Sequence, residues 1–116
     1  MCGFVSYFGS PADISYISNA HTYFDRIQHR GPDNTQRLSF PEGVHFTFHR
    51  LAIMDRSAAG DQPMRLVDDP DLILVCNGEI YNYAELAKSH NLTLHSGSDC
   101  EIILHLYKKF GIDCGR

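Results

Sequence analysis

The sequence predicts a small domain of the α+β class, and three features of the chain support this prediction. Short apolar runs such as residues 72–76 are typical of buried strands. Two longer segments repeat apolar side chains with the spacing of one helix face. Asn77-Gly78 closes one of the apolar runs, as in a tight turn between antiparallel strands. Mostly antiparallel sheets with flanking helices are therefore expected.

In the N-terminal part, residues 3–8 read as a buried strand that ends at Gly9-Ser10-Pro11. Asp13 is a suitable cap for a helix that should stop near His29, because Gly31-Pro32 cannot continue it. The apolar face of this helix comprises Ile14, Ile17, His21, Phe24 and Ile27.

In the middle of the chain, a second strand is expected over residues 44–49, continuing through residues 51–53. The apolar run 72–76 suits a central strand. Asn77-Gly78 would form its turn, and residues 79–81 would begin its hairpin partner.

Two helices are expected after this hairpin. Asn82 is a candidate cap for a short helix over residues 83–90, and Ser98-Asp99 for a longer helix that Gly111 ends. The apolar face of the longer helix comprises Ile102, Ile103, Leu106, Tyr107 and Phe110.

Length and charge restrict the kind of partner. The chain has 116 residues, of which 43% are hydrophobic, and this fits a single small globular domain. Its net charge is -4, with ten basic against fourteen acidic side chains, so no basic face is available for a phosphate backbone. No apolar run approaches the ~20 residues of a membrane-spanning helix, and no secretory leader opens the sequence. Neither nucleic acid nor a membrane is an expected partner.

The cysteines lack a C-x-x-C pair or a regular framework, which predicts free thiols in a reducing compartment and a cytoplasmic location. They are Cys2, Cys76, Cys100 and Cys114. We interpret Cys76 and Cys100 as small, buried apolar residues.

His45 and His49 are four residues apart, but the segment between them alternates like a strand, so they need not converge on one ion. No metal site is predicted.

Cys2 directly follows the initiator methionine, so removal of Met1 would place a thiol and a free amine on the same residue. An α-amine titrates near pH ~7.7 to 8.0 and a thiol near ~8.5, so the amine can take the thiol proton at neutral pH. A nucleophile beside its own base is the minimum for covalent catalysis. Cys2 is therefore a candidate nucleophile, although Met-Cys starts also occur by chance.

Four polar, turn-rich blocks interrupt the apolar scaffold. They are HRGPD at residues 29–33, HRLAIMD at 49–55, NGEIYN at 77–82 and SGSDCE at 96–101. Several of them also have a purely structural interpretation. The first can be a helix stop and turn, the third a hairpin turn, and the fourth a capping box from Ser98 to Glu101.

Taken in order with Cys2, these blocks resemble the glutaminase domain of asparagine synthetase, a class II glutamine amidotransferase of the N-terminal nucleophile type. The resemblance runs the whole length of the chain and includes GDQPM at residues 60–64 and CNGEIYNY at 76–83. The branches that make amino sugars or begin purine synthesis differ at the segments matching HRGPD and HRLAIMD. The resemblance implies an αββα sandwich of which residues 1–116 supply the N-terminal part, the second half being missing.

The resemblance also implies a reaction. Cys2 would attack the side-chain carbonyl of glutamine and form a γ-glutamyl thioester with loss of ammonia, its own amine acting as base and then acid. The family places the donors for the oxyanion at the side-chain amide matching Asn77 and the backbone N–H of Gly78. Losing one such donor typically costs ~2.7 to 4 kcal/mol in barrier height.

Substrate binding follows from the same resemblance. Arg50 matches the residue that holds the glutamine α-carboxylate, and Asp99 matches the partner of the α-ammonium, with Glu79 close to it. Arg30 and Asp33 are assigned to shaping the loop beside the pocket. The predicted substrate-binding set is Arg50, Leu51, Ile53, Met54, Asn77, Gly78, Glu79 and Asp99.

Family members continue into further strands and helices and then into a synthetase domain that binds ATP and aspartate. Residues 1–116 contain no glycine-rich ATP motif, so no cofactor is expected in this chain, and ATP and Mg are expected only for the synthetase domain. The predicted function is hydrolysis of L-glutamine to glutamate and ammonia for ATP-dependent asparagine synthesis, with a synthetase domain or subunit in trans as partner. The alternative is a truncated, noncatalytic remnant that binds glutamine or a partner chain.

Overall fold

The structure is a computed structural model that describes residues 1–10 and 14–115. The strands are β1 (Gly3–Phe8), β2 (Asn34–Phe40), β3 (Val44–Arg50), β4 (Met64–Leu66) and β5 (Asp69–Leu74). The α-helices are α1 (Ile14–Phe24), α2 (Tyr83–Ser89) and α3 (Glu101–Phe110). Short 3-10 turns occupy Asp25–Arg30, Ala58–Gly60 and Gly111–Gly115. Antiparallel sheets with flanking helices confirm the predicted α+β class.

The first sheet has β3 at its centre, with β1 and β2 antiparallel on either side. Neighbouring residues of β3 face opposite sides of the sheet, so each side buries a different group. On one side the His49 ring stacks on Phe24 at the end of α1, with ring centres 4.4 Å apart. On the other side Phe48 is 1% exposed and stacks on Phe4. Burying a phenylalanine side chain stabilises by about 1.5–3 kcal/mol, so β3 is held from both sides.

The second sheet is the hairpin β4–β5, which packs against α3. Met64 and Leu66 are two residues apart and therefore share one face of β4. They form a buried cluster with Leu104 of α3, and Leu72 and Leu74 pack against it. Truncating such a leucine to alanine typically costs about 2–5 kcal/mol, so this cluster fixes α3 on the hairpin.

The first sheet differs from the sequence prediction in two ways. Strand β2 is not among the predicted elements, because its side chains are mostly polar and show no strong apolar alternation. The predicted continuation of the second strand through residues 51–53 is wrong, since β3 ends at Arg50. The Leu51 N–H is donated to the Cys2 sulfur and the Ala52 N–H to the Asp33 carboxylate, so both leave the strand ladder.

The predicted hairpin at Asn77-Gly78 is also wrong. Strand β5 ends at Leu74 and pairs with the preceding β4, and residues 79–81 form no strand. The physical reason lies in two buried side chains. Gln62 Oε1 accepts the Cys76 N–H at 2.6 Å and Asp99 Oδ2 accepts the Ile80 N–H at 2.6 Å. These backbone donors are therefore satisfied without a strand partner.

The helix ends agree with the prediction at Gly31 and differ from it around α2. The helical turns after α1 stop before Gly31, as predicted, where an added Cβ would lie 2.2 Å from the His49 carbonyl oxygen. Asn82 makes no capping hydrogen bond through its side chain, and α2 ends at Ser89. The predicted cap Asp13 lies outside the described residues.

The start of α3 is held in an unpredicted way. The helix begins at Glu101, and neither Ser98 nor Asp99 caps it through a side chain. Instead the Glu101 carboxylate accepts the backbone N–H groups of His95 and Ser96 at 2.8 and 2.7 Å. These bonds fold the preceding segment onto the helix, so its first turns are buried on more than one side.

Burial along α3 corrects the predicted apolar face. Ile102 and Leu106 are buried as predicted, but Leu104, which lies outside the predicted face, is 2% exposed. Tyr107 and Phe110 are each 43% exposed. The hairpin and the preceding segment enclose the first turns of α3, which explains the burial of Leu104.

Candidate active site

A cavity of about 330 Å³ lies where four parts of the chain meet. These are the residue before β1, the end of β3 with the loop after it, the segment after β5, and the turn before α3. The structure places all of the sequence-predicted site residues around this cavity. They are Cys2, Arg50, Leu51, Ile53, Met54, Asn77, Gly78, Glu79 and Asp99.

The Cys2 sulfur is held by the end of β3. Antiparallel pairing sets Gly3 opposite His49, which brings the residue before β1 beside the residues after β3. The sulfur accepts the Leu51 N–H at 3.3 Å, and its S–H is directed at the Leu51 carbonyl at 3.6 Å. The Cys2 side chain thus hydrogen-bonds to the Leu51 backbone in the way that a neighbouring strand would. Cys2 is half-buried, so the sulfur remains accessible from the cavity.

Arg50 is 7% exposed, and its guanidinium is fixed by three acceptors. Nη1 donates to the Asp61 carboxylate at 2.6 Å and to the Ser57 carbonyl at 2.7 Å, and Nη2 donates to the Asp55 carbonyl. A guanidinium carries five N–H donors, of which these bonds use three, and Arg50 lines the cavity. The buried cation is paired, which lowers the cost of its burial.

The loop after β3 closes tightly on the guanidinium. A Cβ on Gly60 would lie 2.4 Å from Arg50 Nη2, so only glycine fits beside the charged group. Asp61 also accepts a hydrogen bond from the Asn34 amide at the start of β2. The arginine is therefore anchored to the loop on one side and to the first sheet on the other.

Asp99 provides the opposite charge at the far wall of the cavity. The residue is 6% exposed, and one of its carboxylate oxygens accepts the Ile80 N–H. This bond draws the segment of Asn77, Gly78 and Glu79 towards the turn before α3. All three residues are exposed and line the cavity. An added Cβ on Gly78 would meet no heavy atom within 4 Å, so the surrounding protein does not require glycine there.

Two further thiols line the same cavity. Cys100 is 4% exposed and its sulfur lies 3.7 Å from the Gly78 carbonyl oxygen, whereas Cys76 is only half-buried. Our interpretation of both as buried apolar residues is therefore wrong for Cys76. A hydrogen bond from the Cys100 thiol lowers the pKa of Cys76 to about 7. The same bond, followed by burial, raises the pKa of Cys100 above its usual range.

Sequence reasoning missed the polar residues that hold the cavity walls. Asp55 and Gln62 line the cavity and accept backbone N–H groups from distant segments, Gly97 and Cys76 respectively. The polar composition of the loop that carries them was the available signal. It indicates a turn-rich segment and carries no information about which distant backbone group each side chain meets.

The two histidines considered for metal binding serve separate contacts. His45 Nδ1 is hydrogen-bonded to Ser39 at 2.7 Å, and His49 Nδ1 to Thr35 at 2.8 Å. Among the residues that the structure describes, no group of three or more His, Cys, Asp or Glu side chains is placed to hold a metal ion.

Within residues 1–10 and 14–115, every helix is too short or too polar to cross a bilayer.

A family model described as a glutamine amidotransferase domain matches residues 1–116. The chain belongs to the glutamine amidotransferase domain family. Similarity to individual members of the family agrees with this assignment. The chain is 39% identical over 119 residues to a probable glutamine-hydrolyzing asparagine synthetase of Acanthamoeba polyphaga mimivirus, covering 97% of this chain and 21% of that protein.

Bacterial and plant relatives give the same result. This glutamine amidotransferase domain is 40% identical over 116 residues to asparagine synthetase 2 (glutamine-hydrolyzing) of Bacillus subtilis, covering 97% of this chain and 15% of that protein. It is 38% identical over 117 residues to asparagine synthetase 1 (glutamine-hydrolyzing) of Arabidopsis thaliana, covering 97% of this chain and 19% of that protein. The chain thus spans between 15% and 21% of the length of these relatives.

Proposed function

We propose that this chain binds L-glutamine in the cavity and hydrolyses it to glutamate and ammonia through Cys2. One observation carries the proposal. The Cys2 sulfur lines the same cavity as a buried arginine, a buried aspartate and the Asn77-Gly78 segment. A nucleophile, two opposite charges and two amide donors are the groups that acyl transfer from an amino acid amide requires.

The reaction begins with removal of Met1, which frees the Cys2 amine. That amine takes the thiol proton, and the sulfur attacks the side-chain carbonyl carbon of glutamine. The oxyanion is bound by the Asn77 amide and the Gly78 N–H. The carbon–nitrogen bond then breaks, the protonated amine supplies a proton to the leaving ammonia, and a thioester remains. Water attacks the thioester and releases glutamate and the thiol.

Substrate orientation comes from the two buried charges. The remaining Arg50 donors bind the α-carboxylate, and the Asp99 oxygen not used by Ile80 binds the α-ammonium. Glu79 adds negative charge on the Asp99 side, and the backbone around Ile53, from Leu51 to Met54, completes the clamp. The side-chain amide is then the end of the substrate that faces Cys2.

The ammonia is proposed to serve asparagine synthesis, because the relatives named above are glutamine-hydrolyzing asparagine synthetases. In that scheme residues 1–116 are the N-terminal part of the amidotransferase domain. ATP and Mg belong to a synthetase domain or subunit that receives the ammonia. A cytoplasmic location is part of the same proposal.

The decisive experiment combines intact mass with glutamate release from L-glutamine. We expect loss of the Met1 mass, glutamate production by the chain, and none after Cys2→Ala. Cys114→Ala is the matched control, because Cys114 lies in the turn Gly111–Gly115 outside the cavity. A chloroketone analogue of glutamine should alkylate Cys2 with loss of HCl, so the peptide that carries Cys2 should gain the mass of the analogue less HCl.

The noncatalytic alternative predicts a different result. A remnant would bind glutamine, release no glutamate and leave Cys2 unlabelled by the analogue. Glutamate release that survives Cys2→Ala would contradict the proposed nucleophile.

A further inference from the structure

Asp55 connects the two ends of the proposed substrate site. Its carboxylate oxygen Oδ2 accepts the Gly97 N–H at 2.7 Å, across forty-two residues of sequence. Oδ1 accepts the Ser57 N–H at 2.7 Å within its own loop. Its backbone carbonyl accepts a hydrogen bond from Arg50 Nη2. One residue therefore contacts the buried arginine and the segment that leads directly to Asp99.

Close packing on both sides fixes the position of Asp55. A Cβ on Gly60 would lie 2.9 Å from the Asp55 Cβ, and one on Gly97 would lie 3.4 Å from it. The aspartate thus lies between two glycines that belong to different loops. A side chain at Gly60 would require the loop to shift, whereas a Cβ at Gly97 would make an ordinary van der Waals contact with Asp55.

The charge state of Asp55 suits this role. Hydrogen bonds from Ser57, and then from the Gly97 N–H, hold the pKa of its carboxyl below the usual range. The group is ionised at neutral pH and acts only as an acceptor. An amide in its place would turn an NH₂ towards one of the two backbone donors.

We infer that Asp55 is a positioning residue that sets the separation between Arg50 and Asp99, so that both charges of an amino acid head are bound at once. This inference rests on the proposed function. Through its backbone carbonyl Asp55 fixes the cation, and through its carboxylate it fixes the loop that carries the anion. Without the Gly97 bond each charge can still bind a ligand group, but the two no longer hold a fixed distance.

The test uses three ligands on the full chain carrying Cys2→Ala, which prevents turnover. L-Glutamine has both head charges, glutaramate lacks the α-ammonium, and 4-aminobutanamide lacks the α-carboxylate. Binding is measured by NMR titration before and after Asp55→Asn. We expect the Kd for glutamine to rise about tenfold, and the Kd for each single-charge ligand to rise less than threefold, because only glutamine needs the fixed distance.

A second variant removes the same hydrogen bond from its donor side. Gly97→Pro deletes the N–H that Asp55 accepts and should reproduce the selective loss of glutamine binding. The double variant should bind glutamine no more weakly than the worse single variant. Asp71→Asn, at an exposed position of β5, is the matched control and should change none of the three constants.

The outcomes separate this inference from the proposed function. Absence of glutamine binding in the chain with intact Asp55 would contradict the proposed function. Normal glutamine binding in both Asp55→Asn and Gly97→Pro would overturn the role of Asp55 alone. Equal weakening of all three ligands in both variants would also overturn it, since that pattern reports a general loss of structure.

Discussion

The cavity has one wall built from strand ends and another built from segments without regular secondary structure. On the first wall, Cys2 and Arg50 lie at the ends of paired strands, and the β1–β3 register determines where the sulfur lies. On the second wall, Asn77, Gly78 and Asp99 lie in segments fixed by single side-chain bonds to backbone groups. The strand wall is therefore set by many repeated contacts, whereas the loop wall depends on a few specific ones.

This difference predicts where substitutions do most damage. Backbone pairing tolerates most side-chain changes, because the ladder is made by main-chain groups. A wall held by single side-chain acceptors fails when one acceptor is removed, because a buried donor is then left without a partner. Arg50 belongs to both cases, since it ends a strand and binds the loop that follows.

Arg50→Lys should have the largest effect on stability. A lysine ammonium cannot reach the Asp61 carboxylate and both loop carbonyls with the geometry of a planar guanidinium. Losing charge-assisted bonds of this kind costs about 1.5–3 kcal/mol, and we expect that decrease in the free energy of unfolding measured with urea. Weaker glutamine binding should accompany it.

The control for Arg50 is Arg37→Lys. Arg37 forms an exposed ion pair with Asp25 at 2.6 Å, and such pairs contribute about 0–1 kcal/mol. Equal stability losses in the two variants would show that the loop contacts of Arg50 do not matter to the fold.

Gln62→Leu should come next, and it tests the loop wall directly. The leucine fills the buried site but leaves the Cys76 N–H without its acceptor, at a cost of about 1–3 kcal/mol. Urea unfolding measures the loss, and glutamine titration should show weaker binding. Gln36→Leu, at an exposed position of β2, is the control. A Gln62→Leu variant that unfolds at the same urea concentration but binds glutamine more weakly would show that this bond positions the loop wall without stabilising the fold.

Gly78→Ala should leave the free energy of unfolding nearly unchanged and still reduce glutamine binding. An added methyl group meets no protein atom within 4 Å, and Gly78 lines the cavity. Gly115→Ala is the matched control, because its methyl group also meets nothing within 4 Å and lies outside the cavity. Thermal unfolding and glutamine titration of both variants provide the comparison. Unchanged glutamine affinity in Gly78→Ala would remove Gly78 from the binding surface.

The smallest expected effect concerns the thiol pair on the loop wall. With its pKa lowered to about 7 by the Cys100 thiol, Cys76 should react with iodoacetamide at a rate that rises with pH around that value. Cys100→Ala removes the donor to the thiolate, so the midpoint should move to higher pH. Peptide mass spectrometry after timed labelling reads out Cys76 separately from Cys2. A midpoint that does not move would show that Cys100 is not its partner.

The contrast between the walls also explains how much the sequence could predict. The existence of β1, β3 and helix α3 was predictable from apolar runs and spacing. Their burial was less so, because Phe4 and Phe8 of the predicted buried strand are 42% and 71% exposed and Leu104 is buried outside the predicted helix face. The candidate site residues were assigned from the family resemblance that the short blocks carry, and the structure places them around one cavity. The course of residues 75–82 was not, since the Gln62–Cys76 and Asp99–Ile80 bonds join positions that no local pattern links. The Asp55–Gly97 bond could not be predicted from the sequence for the same reason.

The anchoring of the Cys2 sulfur on Leu51 has a practical consequence for handling the protein. One residue inserted between Cys2 and Gly3 would carry the sulfur about 3.3 Å along the strand direction and turn it to the opposite face of the sheet. A purification tag joined to the amino end would also cap the amine that the proposed reaction uses as its base. Any fusion should therefore be attached at the carboxyl end.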